Sequence, residues 1–562
     1  MAFMVQKSYN HAFLSLFFLT SFALMLIIYL SPVLLQDYPS RLHPKTRTTR
    51  ILATNTSAKL PESSTVKLFE KASNGTLRIA LVNMDADSDR VVHWSRLGSA
   101  VRVGFERVSE SVKWSNLYPK WIDEEETCRR QKCPKIPMPD FENLGRFDVV
   151  VVRVPCRYPE EGWRRDVFRL QLHLIAANLA VSGASLEEEE EEEAEVKVVV
   201  VSECRAMEEI FGCDEMVGKR EKDEWVYKVD LRKMRERIAM PVGSCKLALP
   251  LKRTGGKIEL NPPKVGPSPT VKQREAYATV LHSSEAYVCG AIALAQSLAR
   301  TGTTRDLVLL ADSSISLRAR RALITSGWII RDTDRIHNPY AKKEAYNEWN
   351  YTKLRLWQLL GYHKVVFIDS DIIVLKNLDV LFGFPQISAI SNNAWRFDSG
   401  MMLIKPSNCT FNMFMENIDE IVPYNGGDQG FLNEVFTWWH RWASRVNYMT
   451  NWNNMTEEME MKNRIFRSDE VYGIHYLGLK PWLCYRDYDC NWNVKGNRIF
   501  ANDVANERWW EIHDSMAPEL QRFCLMDKGW KARLKKDRAS AKKAQFEDKH
   551  WMIKIKDPRQ HL

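Results

Sequence analysis

The first strong pattern along the chain is apolar. Between Ala12 and Gln36 there is no Asp, Glu, Lys or Arg, and the stretch FLSLFFLTSFALMLIIYL is long enough to cross a bilayer as a helix of about 20 residues. No small-x-small cleavage site follows it, so the pattern predicts an uncleaved anchor over 12–35 rather than a signal peptide, with 1–11 as a short tail. Residues 36–75, rich in Ser, Thr, Pro and basic residues without a sustained apolar period, read as a stem.

An α/β region is expected over 76–250. Its strand-like runs are LRIALVNM (77–84), FDVVVVRV (147–154) and VKVVVVSE (196–203), and a helical period in DVFRLQLHLIAANLAV (166–181) makes the last two a βαβ unit. The seven consecutive glutamates at 187–193 repel one another and predict an exposed loop rather than a metal site. A Pro/Gly/Lys-rich linker over 251–273 precedes a second α/β region, expected over 274–490. That region opens AYATVLHSSEAYVCGAIALAQSLART and continues DLVLLA, a strand, turn, helix, strand order that implies a parallel sheet with ligands bound outside the carboxyl ends of its strands. Residues 491–562 read as a basic extension.

Composition narrows this picture. With 562 residues and 45% hydrophobic content the chain is globular and large enough for two or more domains. Much of the net charge of +9 lies in 528–556, where lysines alternate with acids and no nucleic-acid motif occurs, so a solvated tail is expected there and no nucleic-acid partner. Topology is drawn both ways. Arg41, Lys45, Arg47 and Arg50 after the apolar span, against Lys7 before it, favour a cytosolic bulk; Asn-x-Ser/Thr triplets at Asn55, Asn74, Asn350, Asn408 and Asn454 are usable only in a lumen. Among eleven cysteines the close pairs Cys128/Cys133 and Cys484/Cys490 are candidate bridges, and the absence of any CxxC argues against a thiolate zinc site.

The chemistry concentrates in KVVFIDSDIIVL (364–375). An apolar run ends in Asp369 and Asp371, one residue apart, and like charges at that spacing repel unless a cation sits between them. The alternatives are a solvated acidic turn and a metal site.

Five stretches in one order, AYATVLHSSEAYVCGAIALAQSL, NYTKLRLWQLLGYHKVVFIDSDIIVLKNLDVLF, NNAWRFDSGMMLIKPS, NGGDQGFLNEVF and GIHYLGLKPW, resemble the retaining nucleotide-sugar glycosyltransferases of the glycogenin type, glycosyltransferase family 8. The anchor and the region beginning HWSRLGSAVRVGFERVSESVKWSNLYPKWIDEEE are similar to the plant UDP-glucuronate:xylan alpha-glucuronosyltransferase branch. The resemblance implies a GT-A type, Rossmann-like catalytic domain with a mostly parallel sheet, preceded by the second α/β region and the transmembrane helix. It implies His475 as third ligand beside Asp369 and Asp371, with manganese rather than magnesium as the ion. Ser370, between the two aspartates, is a donor-binding candidate. The resemblance also places Lys480, Gly478 and Lys353 at the donor, Lys353 within a helical pattern with Leu356, Trp357 and Leu360, and Thr279, His282 and Tyr287 near the uracil and ribose.

Asp398, Ser399 and Gly400, with Asn425, Gly426, Gly427, Asp428 and Gln429, are candidates to orient the sugars, since polar groups at fixed positions are needed there. Asp428 and Gln429 are the candidates at the reacting carbon; the plainer reading is that Asp398 and Asp428 cap the elements that follow them. Trp438, Trp439 and Trp442, at helical spacing in FTWWHRW, read as core. Arg396 would meet a donor carboxylate if it turned inward, against the plainer reading of a solvated loop arginine. The expected function is retaining transfer of glucuronic acid from UDP-glucuronate to xylan in the Golgi, alongside other Golgi glycosyltransferases, by front-face attack. The alternatives are glucosyl transfer of the glycogenin kind and a non-catalytic lumenal carbohydrate-binding or scaffold subunit.

Overall fold

The computed structural model describes residues 76–85, 88–118, 134–182, 196–239, 252–254, 257–259, 273–393, 395–451, 457–557 and 559. The expected anchor, stem and glutamate run, Cys128, Cys133, Asn55, Asn74 and Asn454 lie outside these residues. Among the described residues no helix is long and apolar enough to cross a membrane.

The first sheet is built from β1 (Leu77–Val82), β2 (Gly98–Val103), β3 (Val149–Arg153), β4 (Val196–Val201), β5 (Met216–Arg220) and β6 (Glu224–Val229), in the order β2-β1-β3-β4-β6-β5. β2, β1, β3 and β4 run parallel and β6 and β5 close the edge antiparallel. The valine runs of β3 and β4 are buried on both faces, as a covered parallel sheet requires. The helix Val167–Val181 makes the expected crossover between them. Asp166 starts it by accepting from the Phe168 and Arg169 amides.

The linker contains a short ribbon, β7 (Lys252–Thr254) with β8 (Lys257–Glu259). The second large sheet takes β9 (Glu275–Leu281), β10 (Asp306–Ala311), β11 (Ile329–Asp332) and β12 (Lys364–Ile368), all parallel. The chain then leaves it through β13 (Ile372–Val374) and returns as β14 (Ser388–Asn393), β15 (Arg396–Ile404) and β16 (His440–Arg441), giving the order β11-β10-β9-β12-β15-β14-β16. β13 joins β17 (Tyr448–Met449) and β18 (Gly473–His475) in a sheet of its own.

The linker separates the regions in sequence but not in space. One apolar core runs from Val150 and Val198 to Ala278, Val365 and Trp439. Tyr118 stacks on Trp439 at 5.2 Å, Arg165 grips Glu434 with both terminal nitrogens (2.8 and 2.9 Å), and a Cys213–Cys409 disulfide crosses between the regions.

Three expectations change. Residues 528–556 are not a solvated tail: Lys528–Lys543 is a helix that buries Leu534 and Ala541, Trp530 packs inward beside them, and Arg559 is buried against Asp557. The lysines occupy the outer face of a helical period that a charge count does not see. FTWWHRW is core, with all three tryptophans at most 2% exposed, but its centre is strand β16 rather than helix. Lys353 lies on a 3-10 helix, Asn350–Gln358, that ends before the exposed Leu360.

Candidate active site

β12 is apolar on both faces and ends at Ile368, where the chain turns out of the sheet. The Asp369 amide donates to the Gly400 carbonyl (2.7 Å) and the Ile372 amide to the Asp369 carbonyl (3.1 Å), closing a turn over Asp369, Ser370 and Asp371. β13 then pairs antiparallel with β18 so that Ile372 faces His475. That register puts ligand atoms of Asp369, Asp371 and His475 within 4.8 Å of one another. Asp371 Oδ1 and His475 Nδ1 are buried without a hydrogen-bond partner among the described residues, and His475 Nε2 stands 3.5 Å from Asp371 Oδ1. Unpaired buried acceptors are costly unless something binds them. Two carboxylates and an imidazole fit a divalent cation of the manganese or magnesium type.

Two glycines let this corner close. A Cβ on Gly400 would stand 2.6 Å from His475 Cε1, and one on Gly290, in the helix Val288–Arg300, would stand 2.2 Å from the Ser370 carbonyl oxygen. Sequence reasoning found Gly400 and missed Gly290.

Lys353 and Lys480 flank the carboxylates. Lys480 Nζ donates to Asp371 Oδ2 (2.6 Å) and to the Tyr476 carbonyl (2.6 Å); Lys353 Nζ is 2.7 Å from Asp428 Oδ2 and 3.5 Å from Asp369. Burial alone would lower both ammonium groups, but Asp371 in one case and Asp369 with Asp428 in the other raise them, so both stay charged. Burial alone would raise Asp371; Lys480 and His475 outweigh it and hold that carboxyl below its ordinary range. Burial pushes Asp369 upward, with Lys353 opposing and Asp371 adding to the shift.

Asp428 is the first residue of the helix Asp428–Val435, and it does not cap it. Its Oδ1 accepts from Asn350 Nδ2 (2.7 Å) and its Oδ2 from Ser399 Oγ (3.1 Å) and Lys353. Gln429 Oε1 accepts from the Ser399 amide (3.2 Å) while its Nε2 donates to Tyr424 Oη (2.8 Å). Asp398 Oδ1 accepts from the Gly400 amide (2.9 Å) and Asn447 Nδ2 (3.1 Å), 3.8 Å from His475 Nδ1. Asn350 was legible only as a glycan acceptor. Its amide is committed to Asp428, and a glycan there would displace that contact.

Other candidates are placed differently. Asn425 Oδ1 accepts from the Gly427 and Gly430 amides, so it holds the turn, in which Gly426 adopts φ +68°. Gly478, at φ +70°, abuts Asn491. Thr279 is fully buried in β9 with no partner for its hydroxyl among the described residues, so its side chain is not presented to the cleft. Tyr287 is exposed and packs edge-on against Trp482, and burial holds the His282 imidazole below its ordinary range, with Asp312 and Asp428 opposing and Lys353 adding to the shift. Trp482 had no sequence signal beyond its motif. It donates to the Ala286 carbonyl (2.9 Å), and its own carbonyl is held by the C-terminal Arg559 (3.0 Å).

Residues 51–245 match a family model described as the GUX1-5 N-terminal domain, and residues 278–392 match glycosyl transferase family 8. Over 513 residues the chain is 49% identical to UDP-glucuronate:xylan alpha-glucuronosyltransferase 2 of Arabidopsis thaliana, covering 91% of this chain and 85% of that protein. It is 31% identical over 273 residues to glycogenin-1 of Homo sapiens, covering 45% and 75%. Among solved structures, the galactosyltransferase LgtC in complex with donor and acceptor sugar analogs is 18% identical with a TM-score of 0.32, covering 44% of this chain and 100% of that one.

Proposed function

Because the chain belongs to the UDP-glucuronate:xylan alpha-glucuronosyltransferase branch of glycosyltransferase family 8, we propose that it transfers glucuronic acid from UDP-glucuronate to xylan with retention of configuration. The observation that carries this reading is the cluster of Asp369, Asp371 and His475 flanked by two charged lysines, with Asp428 and Gln429 beyond Lys353. A departing diphosphate needs its growing negative charge offset. Asp369, Asp371 and His475 would hold a divalent ion, manganese in our reading, whose chemistry is to neutralise that charge. Lys480 and Lys353 add fixed positive charge on either side.

Asp428 is locked, with three donors on its two oxygens. A carboxylate so held is a poor nucleophile and a good electrostatic partner for positive charge at an anomeric carbon, which supports front-face transfer over a covalent intermediate. Gln429, fixed at both ends of its amide, orients rather than reacts.

The compartment belongs to the same proposal: a single-pass type II protein of the Golgi membrane with its bulk in the lumen. Among the described residues four disulfides, Cys156–Cys204, Cys213–Cys409, Cys289–Cys524 and Cys484–Cys490, suit an oxidising lumen, and Asn408 is an exposed sequon asparagine. Endoglycosidase treatment and protease protection in sealed vesicles test the topology; an unshifted, protease-sensitive chain would place the bulk in the cytosol.

The activity is tested with UDP-glucuronate, UDP-glucose, UDP-galactose and UDP-xylose offered against xylo-oligosaccharides and glucans with manganese present. UDP-glucuronate and xylo-oligosaccharide are expected to react fastest. Preferential use of UDP-glucose to form a glucan would overturn the reading.

A further inference from the structure

The groups of the site form one line of contacts. It begins at the Asp369, Asp371 and His475 cluster, passes through Lys353 to Asp428, through Ser399 to Gln429, and from Gln429 to Tyr424. Beyond Tyr424 stands Arg396. Its guanidinium carbon lies over the Tyr424 ring, 3.7 Å from the centroid, and over the Trp395 ring at 4.3 Å. Arg396 is not a loop residue: it is the first residue of β15, the strand that also supplies Asp398, Ser399 and Gly400.

Its charge is available. Among the described residues no carboxylate forms an ion pair with Arg396, and its buried Nε has no hydrogen-bond partner. The neighbouring Arg165 differs: both its terminal nitrogens are taken by Glu434 (2.8 and 2.9 Å) and it stacks on the Trp395 ring at 4.6 Å. A half-buried guanidinium held rigidly by two aromatic rings and left without a counter-ion is prepared for an incoming anion, because little side-chain freedom is lost on binding.

The diphosphate cannot be that anion, since the metal-type cluster, Lys480 and Lys353 mark its end of the line. A uronic-acid donor carries a second anionic group, the C6 carboxylate, on the opposite side of the sugar ring oxygen from the anomeric carbon. With the diphosphate at Asp369 and Asp371 and the ring at Asp428 and Gln429, that carboxylate would lie towards Tyr424, the next residue in the series of contacts. An anion desolvated there needs a cation or donors. We propose that Arg396, positioned by Tyr424 and Trp395, is the residue that recognises the donor's carboxylate and so selects a uronic acid over the corresponding hexose. The assignment rests on the glucuronosyl reading above.

The test compares Arg396→Gln, Arg396→Lys and the unaltered full chain. It measures kcat/KM for UDP-glucuronate and UDP-glucose on a xylo-oligosaccharide, and affinity for UDP with manganese as a check of the fold and the metal end. Arg396→Gln is expected to lower the glucuronate-to-glucose ratio of kcat/KM by about 100-fold through loss of a charge-assisted contact, with UDP affinity unchanged. Arg396→Lys, which keeps charge but loses the fork, is expected to fall between. An unchanged ratio, or an equal loss for both donors, overturns the assignment of Arg396 while leaving the glucuronosyl reading intact. An unaltered chain that prefers UDP-glucose removes both. A fall in UDP affinity matching the loss of activity shows that Arg396 supports the fold rather than the sugar, and also overturns the assignment.

Discussion

At the carboxyl ends of β1, β3 and β4 the first sheet is stitched shut. Cys156, just past β3, is bonded to Cys204, just past β4; Arg153 pairs with Asp85, and Asn83 donates to the Arg153 carbonyl (2.8 Å). At the carboxyl end of β12 the second sheet, which likewise sets an antiparallel strand beside four parallel ones, turns outward and presents Asp369 and Asp371 to His475, with Asp371 Oδ1 and His475 Nδ1 left without a hydrogen-bond partner among the described residues. A parallel sheet offers a crevice wherever its strands end. Whether the crevice works depends on whether local pairs satisfy it or leave it unsatisfied. The first sheet spends its polar groups on closure and so lends stability; the second withholds them and so can bind.

That contrast can be broken most sharply at the second sheet. Asp371→Ala is expected to cut turnover on the order of 10³-fold, about 4 kcal/mol, with a smaller loss of thermal stability, because Oδ1 is left without a partner while Lys480, on losing Oδ2, still keeps the Tyr476 carbonyl. Initial rates with and without chelator, alongside circular dichroism melts, check it. Full activity of this variant in chelator-treated buffer would refute the metal assignment.

The opposite signature is expected in the first sheet. Replacing Cys156 and Cys204 by serine opens a loop of sequence separation 48 and should cost about 3 kcal/mol of stability while kcat/KM at 25 °C stays near its original value. Denaturant melts and rates on one sample distinguish this from a role in the site.

Acid should also strike the first sheet. His173 is fully buried: its Nδ1 donates to the Arg169 carbonyl (2.7 Å) and its Nε2 accepts from the Met207 amide (3.2 Å), so the ring is neutral. Burial, with Arg169 nearby, lowers its pKa from 6.5 to about 3. A histidine depressed in the folded state contributes stability that is complete above the unfolded value and is lost as pH falls from about 6.5 towards 3. The loss should reach about 2 kcal/mol at pH 5. Urea midpoints from pH 7 to 5 measure it, and His173→Gln should flatten that slope; an equally steep slope in the variant would assign it elsewhere.

The smallest effect sharpens the site itself. Asn350→Ala removes one of three donors to Asp428 and should lower kcat about 10-fold with UDP affinity unchanged. Mass spectrometry of the purified protein should find Asn350 unglycosylated.

The sequence by itself determined what depends on near neighbours. The valine runs of β3 and β4, the crossover helix between them, the start of the second sheet and the position of Asp369 and Asp371 at a strand end all follow from periodicity within a dozen residues. The ordered motifs likewise pointed to Lys353, Asp428 and His475. Only the tertiary structure decided what those residues touch. His475 meets Asp371 through the pairing of β13 with β18, and Asn350 becomes a support of Asp428 because a 3-10 helix aims it at the helix Asp428–Val435. Asn425 turns back to its own loop, and Arg396, ambiguous as a loop arginine, is fixed between Trp395 and Tyr424. Contacts between residues far apart in the chain depend on strand register and helix facing, and a one-residue shift in either would redirect every one of these side chains.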